Sequence, residues 1–268
     1  MKDETELFRQ LGFHKQEAVK YLQDQGFAEG KDYSVNYIAL QGSQNYGIAH
    51  ENSDVDSRLM INPSKHSLLM KYNFTHDFKM ENGEICVIRS TMDALEPLFK
   101  GNVNGLEVLY TKYFIPYDNV WPFIRGKREI IESTFRDNMV KASFGMMKQK
   151  KASLLKSTGG CQAEFFEKHG YNGKDYIHIN RLFDIIKRIS RNQEFETAIN
   201  WGCLEFVQKV RNGDYDISSV VIHTDALIKN VETSVDKFLD KFDITSETQM
   251  VVKTCIREEV ATMLSKNG

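Results

Sequence analysis

Hydrophobic positions along the chain change their period twice. Between residues 3 and 26, Leu7, Leu11, Ala18 and Leu22 recur among charges at helical spacing. This predicts one or two amphipathic helices, broken at Gly12 and ending at the Gly26-Phe-Ala-Glu-Gly30 turn signal. From Val35 to Leu40 a short apolar run predicts a strand that leads into Gly42-Ser43. Further strands are expected over Asp54 to Ile61, Tyr72 to Met80 and Glu84 to Arg89, the last two joined by the turn Glu81-Asn82-Gly83. Beyond Met92 the helical period returns, over Leu95 to Phe99, Leu106 to Tyr110, Val120 to Lys156, Tyr176 to Arg191, Ala198 to Val210, Asp225 to Phe242 and Thr248 to Leu264. The last of these carries Val252, Ile256, Val260 and Met263 on one stripe. The pattern is that of an α/β (α+β) protein: a first part, residues 1–115, with N-terminal helices and about four strands, then a helical part, residues 116–268.

Composition narrows the class. The 268 residues are 41% hydrophobic and 27% charged, which fits an ordered globular chain and excludes disorder or a coiled coil. Lys and Arg number 35 against 37 Asp and Glu, for a formal charge of −2. Contact with nucleic acid or nucleotide must then come from a local basic patch. No apolar run approaches the roughly 20 residues that span a bilayer, and Met-Lys-Asp-Glu-Thr-Glu is unlike a signal-peptide start. The expectation is a cytoplasmic protein without membrane contact. Cys86, Cys161, Cys203 and Cys255 are far apart and read as free thiols.

The chemistry concentrates in Tyr37 to Met60, YIALQGSQNYGIAHENSDVDSRLM. Gly42 permits close backbone approach to a ligand, and Ser43, placed where a helix could begin, offers N–H groups and a hydroxyl to a phosphate. Eleven residues after Ser43 comes Asp54, and then Asp56. On a strand, the period of two places these carboxylates on one face, about 7 Å apart, with Val55 directed into the core. Carboxylates held this way repel unless a cation lies between them, and hard oxygen ligands suit Mg²⁺ or Mn²⁺ bridging to phosphates. Taken alone, Ser-Asp-x-Asp also reads as a polar turn at a hairpin mouth.

A strand, Gly-Ser, some ten residues and Asp-x-Asp on the next strand together resemble the nucleotidyltransferase superfamily of DNA polymerase β. The resemblance implies a small mixed-sheet, palm-like core followed by a helical domain that completes a nucleotide cleft. It implies that Gly42 and Ser43 hold a nucleoside triphosphate and that Asp54 and Asp56 hold catalytic divalent metal. More narrowly, GSQNYGIAHENSDVDSR is similar to the Gly-Ser-x-x-Tyr-Gly…Ser-Asp-x-Asp-x-Arg form of the RlaP-type nucleotidyltransferases found in RNA-repair settings, which adds Arg58 as a nucleotide contact. FKGNVNGLEVLY (Phe99 to Tyr110) and KDYIHINRL (Lys174 to Leu182) resemble later motifs of that group, and the similarity spans about residues 37 to 220. It implies metal-dependent transfer of a nucleoside monophosphate from an NTP to an acceptor hydroxyl, with an RNA end as the first acceptor. The rivals are nucleotidylation of a protein hydroxyl and a nucleotide-binding regulator without turnover. Such enzymes usually add a third carboxylate from a neighbouring strand. Here Val87 falls at that place; Glu84 is the nearest acid and is taken as the third catalytic carboxylate, with Asp77 as a second candidate.

Lys174, His178 and Arg181 recur at i, i+4 and i+7 on one stripe bordering Leu182, Ile185, Ile186 and Ile189. The stripe is expected at the edge of the buried face. There Lys174 and Arg181 would bind triphosphate oxygens and His178 would donate to phosphate or relay a proton. Snorkelling of these side chains to solvent is the alternative. Lys148, Lys150, Lys151 and Lys156 form a second basic group, read as a solvated face or a nucleic-acid contact, on a helix ending before Ser157-Thr158-Gly159-Gly160.

Overall fold

The computed structural model describes residues 2–50, 53–157, 161–242 and 244–267. The elements in chain order are α1 (Glu4–Asp24), β1 (Tyr33–Gln41), β2 (Asp56–Pro63), α2 (Lys65–Leu69), β3 (His76–Lys79), β4 (Ile85–Ser90), α3 (Thr91–Phe99), α4 (Val103–Tyr110) and β5 (Phe114–Pro116). The helices α5 (Val120–Gly126), α6 (Arg128–Thr134), α7 (Arg136–Leu154), α8 (Cys161–His169), α9 (Gly173–Ile189), α10 (Phe195–Ile199), α11 (Leu204–Asn212), α12 (Ile217–Leu239) and α13 (Ser246–Asn267) follow. The fold is α/β, with a five-stranded mixed sheet and a helical C-terminal region. It divides into two compact units, one of Met1–Lys100, Asn104–Thr134 and Ile244–Gly268, the other of Gly101–Val103 and Phe135–Asp243. The expected division between residues 115 and 116 falls inside the first unit, within β5.

In the first unit the strand order is β3-β4-β2-β1-β5. Strand β2 is antiparallel to β1 and parallel to β4, so it is paired on both edges. Helix α1 packs its stripe of Leu7, Leu11, Ala18 and Leu22 against Ile38, Leu40, Leu59, Ile61, Cys86 and Ile88 of one sheet face. Its first turn is capped by Asp3, whose carboxylate accepts the Glu6 N–H at 2.8 Å. The break expected at Gly12 does not occur, because the apolar stripe on either side is held by one sheet and Gly12 keeps helical geometry. On the opposite face, at the β1–β5 end, Tyr37 stacks on Phe114 and on Trp121 of α5, each at 5.4 Å. Arg125 lies 4.0 Å over the Phe114 ring and donates to the Tyr37 hydroxyl at 3.1 Å. Helix α13 returns to this unit, where Lys253 and Arg257 both pair with Glu96 of α3 and Gln249 donates to the Thr134 carbonyl.

Helices α7 and α9 form the centre of the second unit, with α8, α10, α11 and α12 packed against α9 and α12 also against α7. Gly101 (φ 65°) lies against the α7 backbone; a Cβ there would stand 2.3 Å from the Met139 nitrogen, so only glycine fits.

Several elements differ from expectation. A single helix over Val120 to Lys156 is replaced by α5, α6 and α7, because the chain passes from the first unit to the second at Thr134–Phe135. The expected end of that helix at Ser157 is close to Leu154, while Thr158, Gly159 and Gly160 lie outside the described residues. Strand β5 and helices α2 and α8 have no counterpart in the hydrophobic pattern of the sequence. Strand β3 is four residues long rather than spanning Tyr72 to Met80. Among the described residues no helix is long and apolar enough to cross a membrane.

Candidate functional site

The β1–β2 register sets Gln41 opposite Asp56, so the Gly42–Ser43 segment leaves the sheet beside the acidic end of β2. Gly42 has φ 86°, a conformation side-chain-bearing residues avoid, and a Cβ there would lie 3.3 Å from Asp56 Oδ2. The sequence suggested a helix beginning at Ser43. The structure has turns through residues 43–47 instead, closed by Asn45 N–H to the Gly42 carbonyl at 3.0 Å and Ile48 N–H to the Ser43 carbonyl at 3.3 Å. Ser53 closes the end of the loop, its hydroxyl accepting the His50 N–H at 2.8 Å. Residues 51 and 52 of this loop lie outside the described residues.

Strand β2 begins at Asp56, so Asp54 precedes the strand rather than lying on it. Burial nevertheless alternates from Ser53 to Arg58: Ser53, Val55 and Ser57 are buried, whereas Asp54 is exposed and Asp56 and Arg58 are partly so. The two carboxylates therefore share a side, with Val55 in the core. Asp56 Oδ1 also accepts the Ile85 N–H at 3.3 Å.

Glu84 sits one residue before β4 and is 6% exposed. Its Oε1 accepts the Val55 N–H at 3.0 Å and lies 3.5 Å from Lys2 Nζ. Its Oε2 accepts from Asn82 at 2.7 Å and from His14 Nε2 at 3.0 Å. Burial alone would raise the Glu84 pKa, but the bonds from His14, the Val55 N–H and Asn82 outweigh it and hold the carboxyl below its usual value. An ionised Glu84 requires His14 to donate from Nε2, leaving Nδ1 to accept from the Ser57 hydroxyl at 2.8 Å. Burial keeps His14 below its usual pKa despite Glu84. The expected third carboxylate is thus engaged on all sides beneath the Asp54–Asp56 segment, which it ties down through Val55.

On β4 the register pairs Arg58 with Val87 and Ser57 with Cys86, so the side chains flanking Asp56 and Arg58 on their face are the apolar Ile85 and Val87. Asp77, the other candidate, pairs with Val87 from β3 and is held by Arg89 at 2.8 Å. Arg58 has its Nε buried without a hydrogen-bond partner. Burial lowers its pKa, and the nearby Glu107 carboxylate favours the charged form.

Sequence reasoning placed Glu107 inside a motif but gave it no role. It lies on α4, is 0% exposed, and accepts the Gly42 N–H at 2.7 Å, the Asn45 amide at 2.8 Å and the Tyr46 hydroxyl at 2.5 Å. The available signal was an acidic residue alone among apolar neighbours, Gly105-Leu-Glu-Val-Leu109.

Lys174, His178 and Arg181 belong to the second unit, on α9, which begins at Gly173 behind an Asn172 cap. They do not form an even border: Lys174 is exposed, His178 is partly buried and Arg181 is 1% exposed. Burial, with Arg181, Lys150 and Lys174 nearby, holds the His178 pKa well below its usual value, and its Nδ1 is buried without a hydrogen-bond partner. Of the second basic group, Lys148 pairs with Glu232, Lys150 with Asp175 and Lys151 with Asp225 at 3.4, 2.9 and 2.6 Å, so these charges are matched within the unit.

Among the described residues no group of three or more His, Cys, Asp or Glu side chains is placed to hold a metal ion. No protein-family model and no curated protein matches the sequence. Among solved structures, the crystal structure at 1.90 Å resolution of a nucleotidyltransferase-like protein from Exiguobacterium sibiricum 255-15 is similar over 95% of this chain and 92% of that chain. The sequence identity is 9% and the TM-score 0.34.

Proposed function

We propose that the protein is a divalent-metal-dependent nucleotidyltransferase that passes a nucleoside monophosphate from an NTP to an acceptor hydroxyl, with an RNA end as the acceptor class. The observation that carries this reading is the juxtaposition of the Gly42 turn with the Asp56 carboxylate, whose Oδ2 lies 3.3 Å from where a Cβ on residue 42 would stand. The donor set fits Mg²⁺ or Mn²⁺: two carboxylates on one side of the chain, one exposed and one partly so, with no nitrogen or sulfur donor beside them in sequence. Two protein ligands suit an ion that completes its shell with triphosphate oxygens and water. When bound there, the cation would neutralise charge on the phosphates as pyrophosphate leaves.

In this reading Ser43 and the turn after it hold the phosphates, and Arg58 offers a guanidinium fork to their oxygens. Asp54 and Asp56 are the metal ligands. Glu84 is a positioning residue that keeps both on one side by holding the Val55 N–H. As the acceptor hydroxyl gives its proton to solvent and its oxygen bonds to the α-phosphorus, the bridging P–O bond breaks and pyrophosphate leaves with the electron pair. Lys174, His178 and Arg181, which the resemblance gives as nucleotide contacts, lie in the second unit and take no part in this reading.

The test is incubation with each of four α-labelled NTPs and Mg²⁺, with and without short RNA, beside the variant Asp54→Ala/Asp56→Ala. Label is expected in RNA with the wild type and absent with the variant. Label in polypeptide would support a protein acceptor instead, and equal transfer by the variant would overturn the metal assignment. The apolar Ile85 and Val87 on β4 favour a second reading, a nucleotide-binding regulator without turnover, whose signature is saturable NTP binding with no label transferred.

A further inference from the structure

We infer that Glu107 is a positioning residue for the phosphate-binding turn, its buried carboxylate setting the conformation in which Ser43 meets the triphosphate. This rests on the nucleotide-binding reading above. A carboxylate without exposure is costly unless charge-assisted hydrogen bonds compensate it. Glu107 obtains three from one short stretch of chain, from the Gly42 N–H, the Asn45 amide and the Tyr46 hydroxyl. Asn45 extends the tether: its Nδ2 also donates to the Leu40 carbonyl on β1 at 2.8 Å, and its Oδ1 accepts from Thr111 just beyond α4 at 2.7 Å. The turn is therefore fastened to α4 at residues 42, 45 and 46, next to the Asp56 carboxylate.

This bonding divides the work within the turn. The Gly42 N–H points to Glu107, and the Asn45 and Ile48 N–H groups close the turn, so Gly42 serves the ligand through its φ and its missing Cβ while Ser43 is the donor the turn presents. Arg58, whose charged form Glu107 favours, offsets a negative charge behind an anion site.

The experiment compares wild type, Glu107→Gln and Tyr46→Phe by titration with each of the four NTPs and their monophosphates in Mg²⁺, and by the ¹⁵N–¹H resonance of Gly42. Glu107→Gln keeps the shape but loses the charge. It is expected to weaken NTP binding about tenfold or more and monophosphate binding less, and to move the Gly42 amide resonance upfield. Tyr46→Phe removes one bond and spares that of Gly42, for about a threefold loss with the Gly42 resonance little changed. Equal loss for NTP and monophosphate would mark general structural damage and overturn the inference, as would wild-type NTP affinity in Glu107→Gln. If Glu107→Gln does not fold, unchanged affinity in Tyr46→Phe overturns it. If wild type binds and Glu107→Gln binds equally, only the role of Glu107 falls; if wild type binds no NTP, the nucleotide reading falls with it.

Discussion

Gly42 and Asp56 face each other across the end of the β1–β2 pair in a tight fit, a Cβ on residue 42 standing 3.3 Å from Asp56 Oδ2. Gly42→Ala meets both this contact and a φ of 86°. The expected cost is about 1 kcal/mol of stability, with NTP affinity lowered as well. Urea denaturation and NTP titration on the same sample check it; wild-type values in both would show that the turn has slack.

Asp54 separates function from folding. Its side chain is exposed and precedes β2, so Asp54→Asn should change stability by no more than about 0.5 kcal/mol. Nucleotidyl transfer should fall on the order of a hundredfold or more, because a neutral amide is a poor ligand for a hard cation. A matched melting curve with full transfer would remove Asp54 from the metal site.

The His14–Glu84 pair predicts acid sensitivity. The His14 pKa is depressed from about 6.5 by burial, so the unfolded chain binds the proton first as pH falls. Stability is then complete above pH 6.5 and declines below it, at no more than about 1.4 kcal/mol per pH unit from this group. Glu84, also depressed, adds its own loss below about pH 4.5. Denaturation midpoints from pH 8 to pH 4 should therefore fall for wild type and fall less steeply between pH 6.5 and 5 for His14→Gln. A flat wild-type profile through that interval would show that His14 is not held neutral.

Two glycines should respond in opposite directions. Gly12 lies inside α1 with nothing within 4 Å of a Cβ, so Gly12→Ala should stabilise by about 0.5 to 1 kcal/mol. Gly101→Ala would drive a methyl into the α7 backbone and should destabilise by roughly 2 kcal/mol or more. Thermal melts of both variants test the pair; a stable Gly101→Ala would mean that α7 shifts freely.

The elements legible in the sequence were those whose own residues carry the period. The α1 stripe, the apolar run of β1, the body of α9 from Tyr176 onward and the α13 stripe around Ile256 and Val260 all followed from spacing alone. Strand β5 escaped because three residues cannot display a period of two; it exists through its pairing with Tyr37 to Ala39. The site was half legible for a related reason. Gly42, Ser43, Asp54 and Asp56 form a local motif, and the strand pair brings the two ends together. Glu84 and Glu107 resemble ordinary acids in sequence, and their tasks arise from donors on distant segments, the Val55 N–H in one case and the Gly42 N–H in the other. The helical spacing of Arg181 from Lys174 predicts a border residue, yet packing in the second unit encloses it.

Helix α13 belongs to the first unit although Phe135–Asp243 intervene. During synthesis the strands that carry Gly42 and Asp56 leave the ribosome early, whereas their last supporting helix arrives only after the entire inserted unit. The first unit therefore cannot be finished vectorially, and Glu96 waits for Lys253 and Arg257 until then. An insertion that folds promptly into a compact body shortens the loop to be closed and lowers that entropic cost. Mutations that slow the second unit are thus poised to delay maturation of the first without touching any of its residues.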